Sequence, residues 1–277
     1  MRWRLSVALI LSASASLADP LTFLRTMPLE NLGGISAIEV EQDGQAAFVL
    51  SDRGTGHRFT IERTKSGGRI SNVRSVDLPY PKWDTEGLAT SGATMFLSYE
   101  DPASISTLDG EVLFTPRAFT AFPTNGALEA LAITSDGALL TLPENPPKRT
   151  GAFPIHRFQD GVWDIAAYLP RNGGFQPTGA DVGPDGRLYI LERAFSALGF
   201  RTRIRRVTLD VPEPKAETVL ETRLGTHDNL EGLSVWTSRS GATCVSMVSD
   251  NNFLSIQTSE LVEYAVTETL AGDATCD

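Results

Sequence analysis

Carboxylates recur through this 277-residue sequence at paired stations, and they are its side chains with the most capacity for chemistry. One station brings Asp84 and Glu86, Glu129, Asp181, and then His227, Asp228 and Glu231. The other brings Asp52 with Arg53, Glu100 with Asp101, Glu144, Glu192 with Arg193, and Asp250 with Asn251 and Asn252. Oxygen-only donors suit hard cations such as Ca²⁺ or Mg²⁺, and carboxylates gathered in a small volume repel one another unless a cation or a proton intervenes. The spacing therefore predicts a divalent cation, Ca²⁺ first and Mg²⁺ second, held by a subset of Glu86, Glu129, Glu144, Asp181, Glu231 and Asp250. Asp52, Asp84, Glu100, Glu192, Asp228 and Asn251 are expected to line the same place. Arg53, Arg193 and His227 are the candidates to hold an oxyanion or protonate a leaving group. The alternative for any one acid is to cap a turn or pair with an arginine. Zinc has little support, because two cysteines and three scattered histidines form no ligand spacing.

The stations belong to a repeat of about fifty residues. Its five copies read NLGGISAIEVEQDGQAAFVLSDRG, WDTEGLATSGATMFLSYED, NGALEALAITSDGALLTLPEN, QPTGADVGPDGRLYILER and DNLEGLSVWTSRSGATCVSMVSDNN. Gly34, Gly87, Ala130, Gly179 and Gly232 mark equivalent places, 53, 43, 49 and 53 residues apart. Each copy holds two Val/Ile/Leu/Phe-rich runs joined by a turn at Asp43-Gly44, Ser91-Gly92, Asp136-Gly137, Asp185-Gly186 or Ser240-Gly241, dipeptides that supply the positive φ of tight hairpins. Further strands follow at Phe59–Thr64, Val73–Leu78, Arg203–Leu209 and Glu217–Thr222. Four antiparallel strands repeated about an axis make an all-β propeller of five four-stranded blades; six blades with one degenerate repeat is the alternative. After Leu261–Thr267 little chain is left for a last strand, so Leu21–Leu29 is expected to close the ring.

In such a blade the first strand begins where the second ends, so both stations meet at one mouth of the central channel. Arg201, Arg203 and Arg205 alternate along an outer strand, and the expectation there is a solvated face. Gly34-Ile35-Ser36-Ala37 lacks the second glycine of a nucleophile elbow, which argues against a Ser-His-Asp esterase.

Composition narrows the partners. With 24 Lys plus Arg against 34 Asp plus Glu the formal charge is -10, which disfavours nucleic acid and anionic membranes. Residues 1–18 read as a signal peptide: Arg2 and Arg4 precede the short apolar stretch Leu5–Leu11, and Ser16-Leu17-Ala18 precedes Asp19. Residues 19–277 then form one exported domain, periplasmic or secreted, with no membrane span and monomeric. Cys244 and Cys276, the two cysteines, are expected to pair in that compartment.

The segments GGISAI with LSDRG, DTEGLA with Tyr99-Glu100-Asp101, LEALAITSDG, Leu191-Glu192-Arg193, and DNLEGLSV with SDNNF resemble, in this order, the bacterial exported proteins called the esterase-like activity of phytase family. The resemblance implies a propeller-like β fold and hydrolysis of phosphate or carboxylate esters. Two departures stand out: Glu129-Ala130 replaces Glu-Gly, and Thr178-Gly179 displaces its acid to Asp181. The expectation is a metal-dependent hydrolase of small anionic esters, phosphate esters first. The alternative is a non-catalytic periplasmic propeller that uses a divalent cation to bind a ligand or protein partner.

Overall fold

The computed structural model describes residues 20–41, 44–64, 67–146, 151–211, 213–271 and 274–277. The expected signal peptide lies outside these residues, as does Asp43 of the first hairpin turn.

After β1 (Leu21–Pro28), the first blade contains β2 (Ile35–Val40), β3 (Ala46–Ser51), β4 (Thr55–Thr64) and β5 (Gly67–Asp77). The second contains β6 (Thr85–Ser91), β7 (Thr94–Tyr99) and β8 (Ser104–Thr107). The third contains β9 (Ala130–Ile133), β10 (Leu139–Leu142), β11 (Ala152–Gln159) and β12 (Val162–Pro170). The fourth contains β13 (Gln176–Val182), β14 (Leu188–Ser196), β15 (Gly199–Thr208) and β16 (Lys215–Glu221). The fifth contains β17 (Leu230–Thr237), β18 (Thr243–Ser249) and β19 (Glu260–Val266). All pairings within blades are antiparallel, and in the second blade the outer place is reduced to an isolated bridge between Ser106 and Val112. The inner strands β2, β6, β9, β13 and β17 touch in that cyclic order, and β17 returns to β2, so the molecule is a five-bladed β-propeller. β1 pairs with β19 as the outermost strand of the fifth blade and closes the ring as the sequence predicted.

Second strands read as unbroken apolar runs because both of their faces are covered. Ala47 and Val49 of β3 turn toward the fifth blade, while Phe48 and Leu50 turn toward the second. On β14, Leu188 and Ile190 face the third blade, and Tyr189 and Leu191 face the fifth. The core is thus five wedges between neighbouring blades. Buried charge reinforces the seam that closes the ring. Glu263 of β19 takes ion pairs from Arg25 of β1 (3.3 Å) and Arg63 of β4 (2.7 Å). Arg25 also donates to Asp277 Oδ1 (2.8 Å) and to the carbonyl of Cys276 (3.3 Å). The expected Cys244–Cys276 disulfide is present, with Cα atoms 5.9 Å apart.

One repeat mark shifts. Pairing runs Ile35 with Ser51 and Ala37 with Leu50, just as Leu230 pairs with Ser249 and Gly232 with Val248. The counterpart of Gly232 is therefore Ala37, and Gly34 precedes it by three residues. The need for a small residue there comes from the neighbouring blade. A Cβ on Gly179 would sit 2.5 Å from the carbonyl oxygen of Glu231, and one on Gly232 would sit 2.8 Å from Cα of Ala37. Inner strands approach too closely at these points for larger side chains.

Candidate metal centre

The register that sets the small residues also aims the acids. Four of the five inner strands carry a bulge immediately before the small position, between Ile35 and Ala37, Thr85 and Leu88, Pro177 and Gly179, and Leu230 and Gly232. A bulge leaves one residue unpaired and re-aims its side chain. The residues concerned are Ser36, Glu86, Thr178 and Glu231; in the third blade Glu129, just ahead of the pair Ala130–Leu142, takes the corresponding place. Ser36 and Thr178 spend their hydroxyls on the next inner strand, donating to the carbonyls of Thr85 (2.7 Å) and Leu230 (3.3 Å). The three glutamates enter the channel.

A second tier comes from the ends of the second strands. Asp52, Glu100 and Asp250 each follow the last residue of their strand, Glu144 lies just past Leu142, and Arg193 pairs across from Gln176 in the fourth blade. Together with Asp84, Asn125, Asn229 and Asn252, the two tiers line a cavity of about 370 Å³ at one mouth of the channel, with Phe195 and Phe200 on its rim. Eight carboxylates therefore surround one guanidinium, that of Arg193. This cation is already engaged: it donates to Asn229 Oδ1 and Glu231 Oε1, both by short contacts, and to Glu144 Oε1 at 3.1 Å.

Asp84, Glu86 and Glu100 have mainly one another, apart from the Gly126 amide that donates to Glu100 Oε1 by a short contact. Ligand atoms of Asp84, Glu86 and Glu100 lie within 4.8 Å of each other. Burial, then the charges of Glu231, Glu100, Asp84 and Asp52, pushes the Glu86 carboxyl well above the usual range. Glu129 is driven the same way by burial and by Glu86, Glu100 and Glu144. Asp52 and Asp84 are raised by burial and then by Asp84 and Glu100 respectively, and Asp250 by burial and Asp52. Burial pushes Glu231 up to about 7 even though Arg193 pulls it down. Carboxyls raised by burial and then by one another's charge form a donor set that a divalent cation fits, and the ligand atoms that Asp84, Glu86 and Glu100 offer are hard oxygens.

The structure does not bring every expected residue to this mouth. Asp181 lies at the far end of the channel, beside Glu39, where its carboxylate accepts from the amides of Val235 (2.6 Å) and Val182 (2.7 Å). It is three residues past the bulge on β13, beyond the turn of side chains toward the acidic mouth. Glu192 pairs with Pro177 one position before Arg193, so alternation sends it into the blade. There it accepts from Arg203 (2.8 Å) and Arg205 (2.7 Å), and these two arginines are buried, contrary to the solvated face expected for them. Arg53 is exposed and stacks on Phe253, 3.4 Å from the ring centroid. His227 bonds to the Tyr264 hydroxyl (2.8 Å) and, with Asp228, lines a neighbouring cleft. Asp228 holds the loop that follows β18 through the amide of Thr258 (2.8 Å). Asn251 accepts from the amides of Phe253 (3.0 Å) and Gly34 (3.4 Å) and lines a separate surface hollow. The sequence reading missed Asn125, Asn229, Phe195 and Phe200; of these, Asn229 stands two residues before Glu231, where Asp84 stands before Glu86, and that correspondence was visible.

The family described as "Phytase-like: Esterase-like activity of phytase" matches residues 30–253, which span both tiers of the mouth. The chain belongs to that family. No curated protein matches the sequence. Among solved structures, the fold is similar to regucalcin, a calcium-binding protein from Agrobacterium tumefaciens str. C58, at 10% identity over 90% of this chain and 97% of that one, with a TM-score of 0.50. It is also similar to glutaminyl cyclase from Myxococcus xanthus, at 12% identity over 88% and 95% of the two chains, with a TM-score of 0.51. At these identities the likeness shows the propeller fold alone.

Proposed function

We propose that this phytase-like propeller is an exported, metal-dependent hydrolase of small anionic esters, phosphate esters first, acting at the acidic mouth. The observation that carries the reading is the imbalance of eight carboxylates around one arginine. Asp84, Glu86 and Glu100 would hold a divalent ion, Ca²⁺ before Mg²⁺, with Glu129 beside them. Such an ion, when bound, supplies Lewis-acid polarisation of an ester oxygen and lowers the pKa of water. Arg193 is held at fixed orientation by Glu144, Glu231 and Asn229 and would present positive charge to an oxyanion in the same cavity. Glu231, with its pKa near neutrality, can hold or release a proton at Oε1 or Oε2, the role first expected of His227. Export is supported by the disulfide, and no helix among the described residues is long and apolar enough to cross a membrane.

A non-catalytic binding propeller is the second reading, favoured by the prior engagement of Arg193 with two carboxylates. Turnover of 4-nitrophenyl phosphate in Ca²⁺ and in chelator distinguishes the two. The hydrolase reading expects turnover in Ca²⁺ that chelation abolishes and that Glu86→Gln lowers by about a hundredfold or more. Cation binding without turnover of phosphate or carboxylate aryl esters would establish the second reading.

A further inference from the structure

The acidic cavity does not end at its carboxylates. Phe195, Phe200 and Asn252 line it and also line an adjoining open cleft of about 750 Å³. Two segments make this cleft. The β14–β15 hairpin contributes Phe195 and Phe200, whose rings lie 5.3 Å apart, and the loop between β18 and β19 contributes Leu254 and Ile256. These side chains stay open to solvent: Phe195 is 72% exposed, Leu254 52% and Ile256 87%. Apolar groups gathered along one concave edge of a soluble protein mark a binding surface more often than scattered singles do.

Charge narrows the occupant. The cleft has no arginine or lysine among its lining residues, and its ionisable groups are His227, Asp228 and Glu260. Burial holds the His227 imidazole below its ordinary range, which disfavours its charged form. Glu260 is raised by burial and then by Asp228. The one arginine of the joined cavities is Arg193, which sits 6.0 Å from the Phe200 ring centroid at the boundary between them. A ligand with several phosphates would thus place its further charges against carboxylates or apolar side chains, with no second arginine or lysine lining either cavity to receive them.

We propose that the cleft and the acidic cavity form one bipartite site for an amphiphilic monoester. The single anionic head lies in the acidic cavity, and an uncharged aryl or alkyl group lies between Phe195 and Phe200 on one side and Leu254 and Ile256 on the other. Polyphosphorylated substrates are excluded. The proposal rests on the reading that the acidic cavity receives an anion through a bound cation, and it adds which part of the ligand the apolar cleft selects.

Non-hydrolysable phosphonates separate the two claims. Calorimetric titrations of the full exported chain in Ca²⁺ would compare 1-naphthylphosphonate, methylphosphonate and inositol hexakisphosphate. The expected order is naphthylphosphonate at least about tenfold tighter than methylphosphonate, the gain from burying about 55 Å² of apolar surface. Inositol hexakisphosphate, once corrected for the Ca²⁺ it chelates, should bind more weakly than naphthylphosphonate. Ile256→Ser and Leu254→Ser should each weaken naphthylphosphonate by about three- to tenfold while leaving methylphosphonate and Ca²⁺ affinities unchanged, since neither lines the acidic cavity; Ile256, being the more exposed, keeps the test independent of folding. Equal affinity for the two phosphonates, tighter binding of the hexakisphosphate, binding of neither phosphonate, or variants with no effect would overturn the bipartite site. Naphthylphosphonate that binds as tightly in chelator as in Ca²⁺, and still responds to both variants, would support the apolar cleft and overturn the cation-mediated reading beneath it.

Discussion

Glu192 and Glu86 are acids on the second strand of the fourth blade and the first strand of the second, and their surroundings are opposite. Glu192 is fully buried between Arg203 and Arg205, and every strong contact it makes is with a cation. Glu86 is pushed toward the neutral form by burial and then by the charges of Glu231, Glu100, Asp84 and Asp52. Glu263 repeats the first pattern at the ring closure with Arg25 and Arg63. The same residue type therefore does two jobs. Paired acids hold blades and seam together, whereas the mouth keeps its acids short of counter-charge and is the place where an added cation has most to gain.

Breaking the paired region should have the largest effect. Glu192→Gln leaves Arg203 and Arg205 buried without their counter-charge and should lower stability by about 3 to 5 kcal/mol. Urea melts check this, and a loss below about 1 kcal/mol would place Glu192 in the same class as the mouth acids. Next comes the tail. Reducing Cys244–Cys276, which closes a separation of 32 residues, should lower stability by about 3 to 4 kcal/mol and leave Ca²⁺ affinity unchanged, since the bond packs in the wedge between the fifth and first blades and does not line the mouth. Melts and metal titrations with and without reductant measure both halves of that statement.

Acidity probes the mouth with the opposite sign from ordinary acid denaturation. Glu231 has a folded pKa of about 7 against an unfolded value near 4.5, so the native state binds more protons between these values. Stability of the cation-free protein should accordingly fall as pH rises through that window, and Glu86 and Glu129, raised in the same direction, add to the trend. Glu39 and Asp181 at the far end carry the same sign, so Glu231→Gln in chelator, scanned from pH 5 to 8, isolates the share of the mouth by a shallower slope. A slope identical to the parent protein would remove Glu231 from that account. The smallest effect is expected at the surface: Asp164→Asn breaks an ion pair with Arg157 in which both side chains are exposed, and melts should move by less than about 1 kcal/mol.

How much of this was legible in the sequence follows from what repeats. Five copies of an apolar hairpin with Gly turns disclose the blades, and the apolar run Leu21–Leu29 ahead of the first copy is the strand that pairs with β19. Glu86, Glu129, Glu144, Glu231 and Asp250 were legible as one set because each sits at a strand end in the repeat. Register was less legible. Strand side chains alternate with a period of two, so a one-residue choice separates Glu192, inside the blade, from Arg193, in the channel. The bulges that aim Glu86 and Glu231 insert an unpaired residue that no pattern of hydrophobicity announces. His227 and Asp181 were placed by adjacency to motifs, and the fold carries them to the neighbouring cleft and to the far mouth.

The most direct test of the contrast is a pair of thermal melts, in chelator and across a Ca²⁺ titration, on the parent protein and Glu86→Gln. At free Ca²⁺ a hundred times its dissociation constant the parent should gain about 2.7 kcal/mol. Glu86→Gln should be as stable as the parent or more stable in chelator, since one repelling charge is gone, and should gain little from Ca²⁺. A variant that loses about 1 to 3 kcal/mol in chelator while keeping its full response to Ca²⁺ would show Glu86 to be a structural acid like Glu192 and would contradict the account.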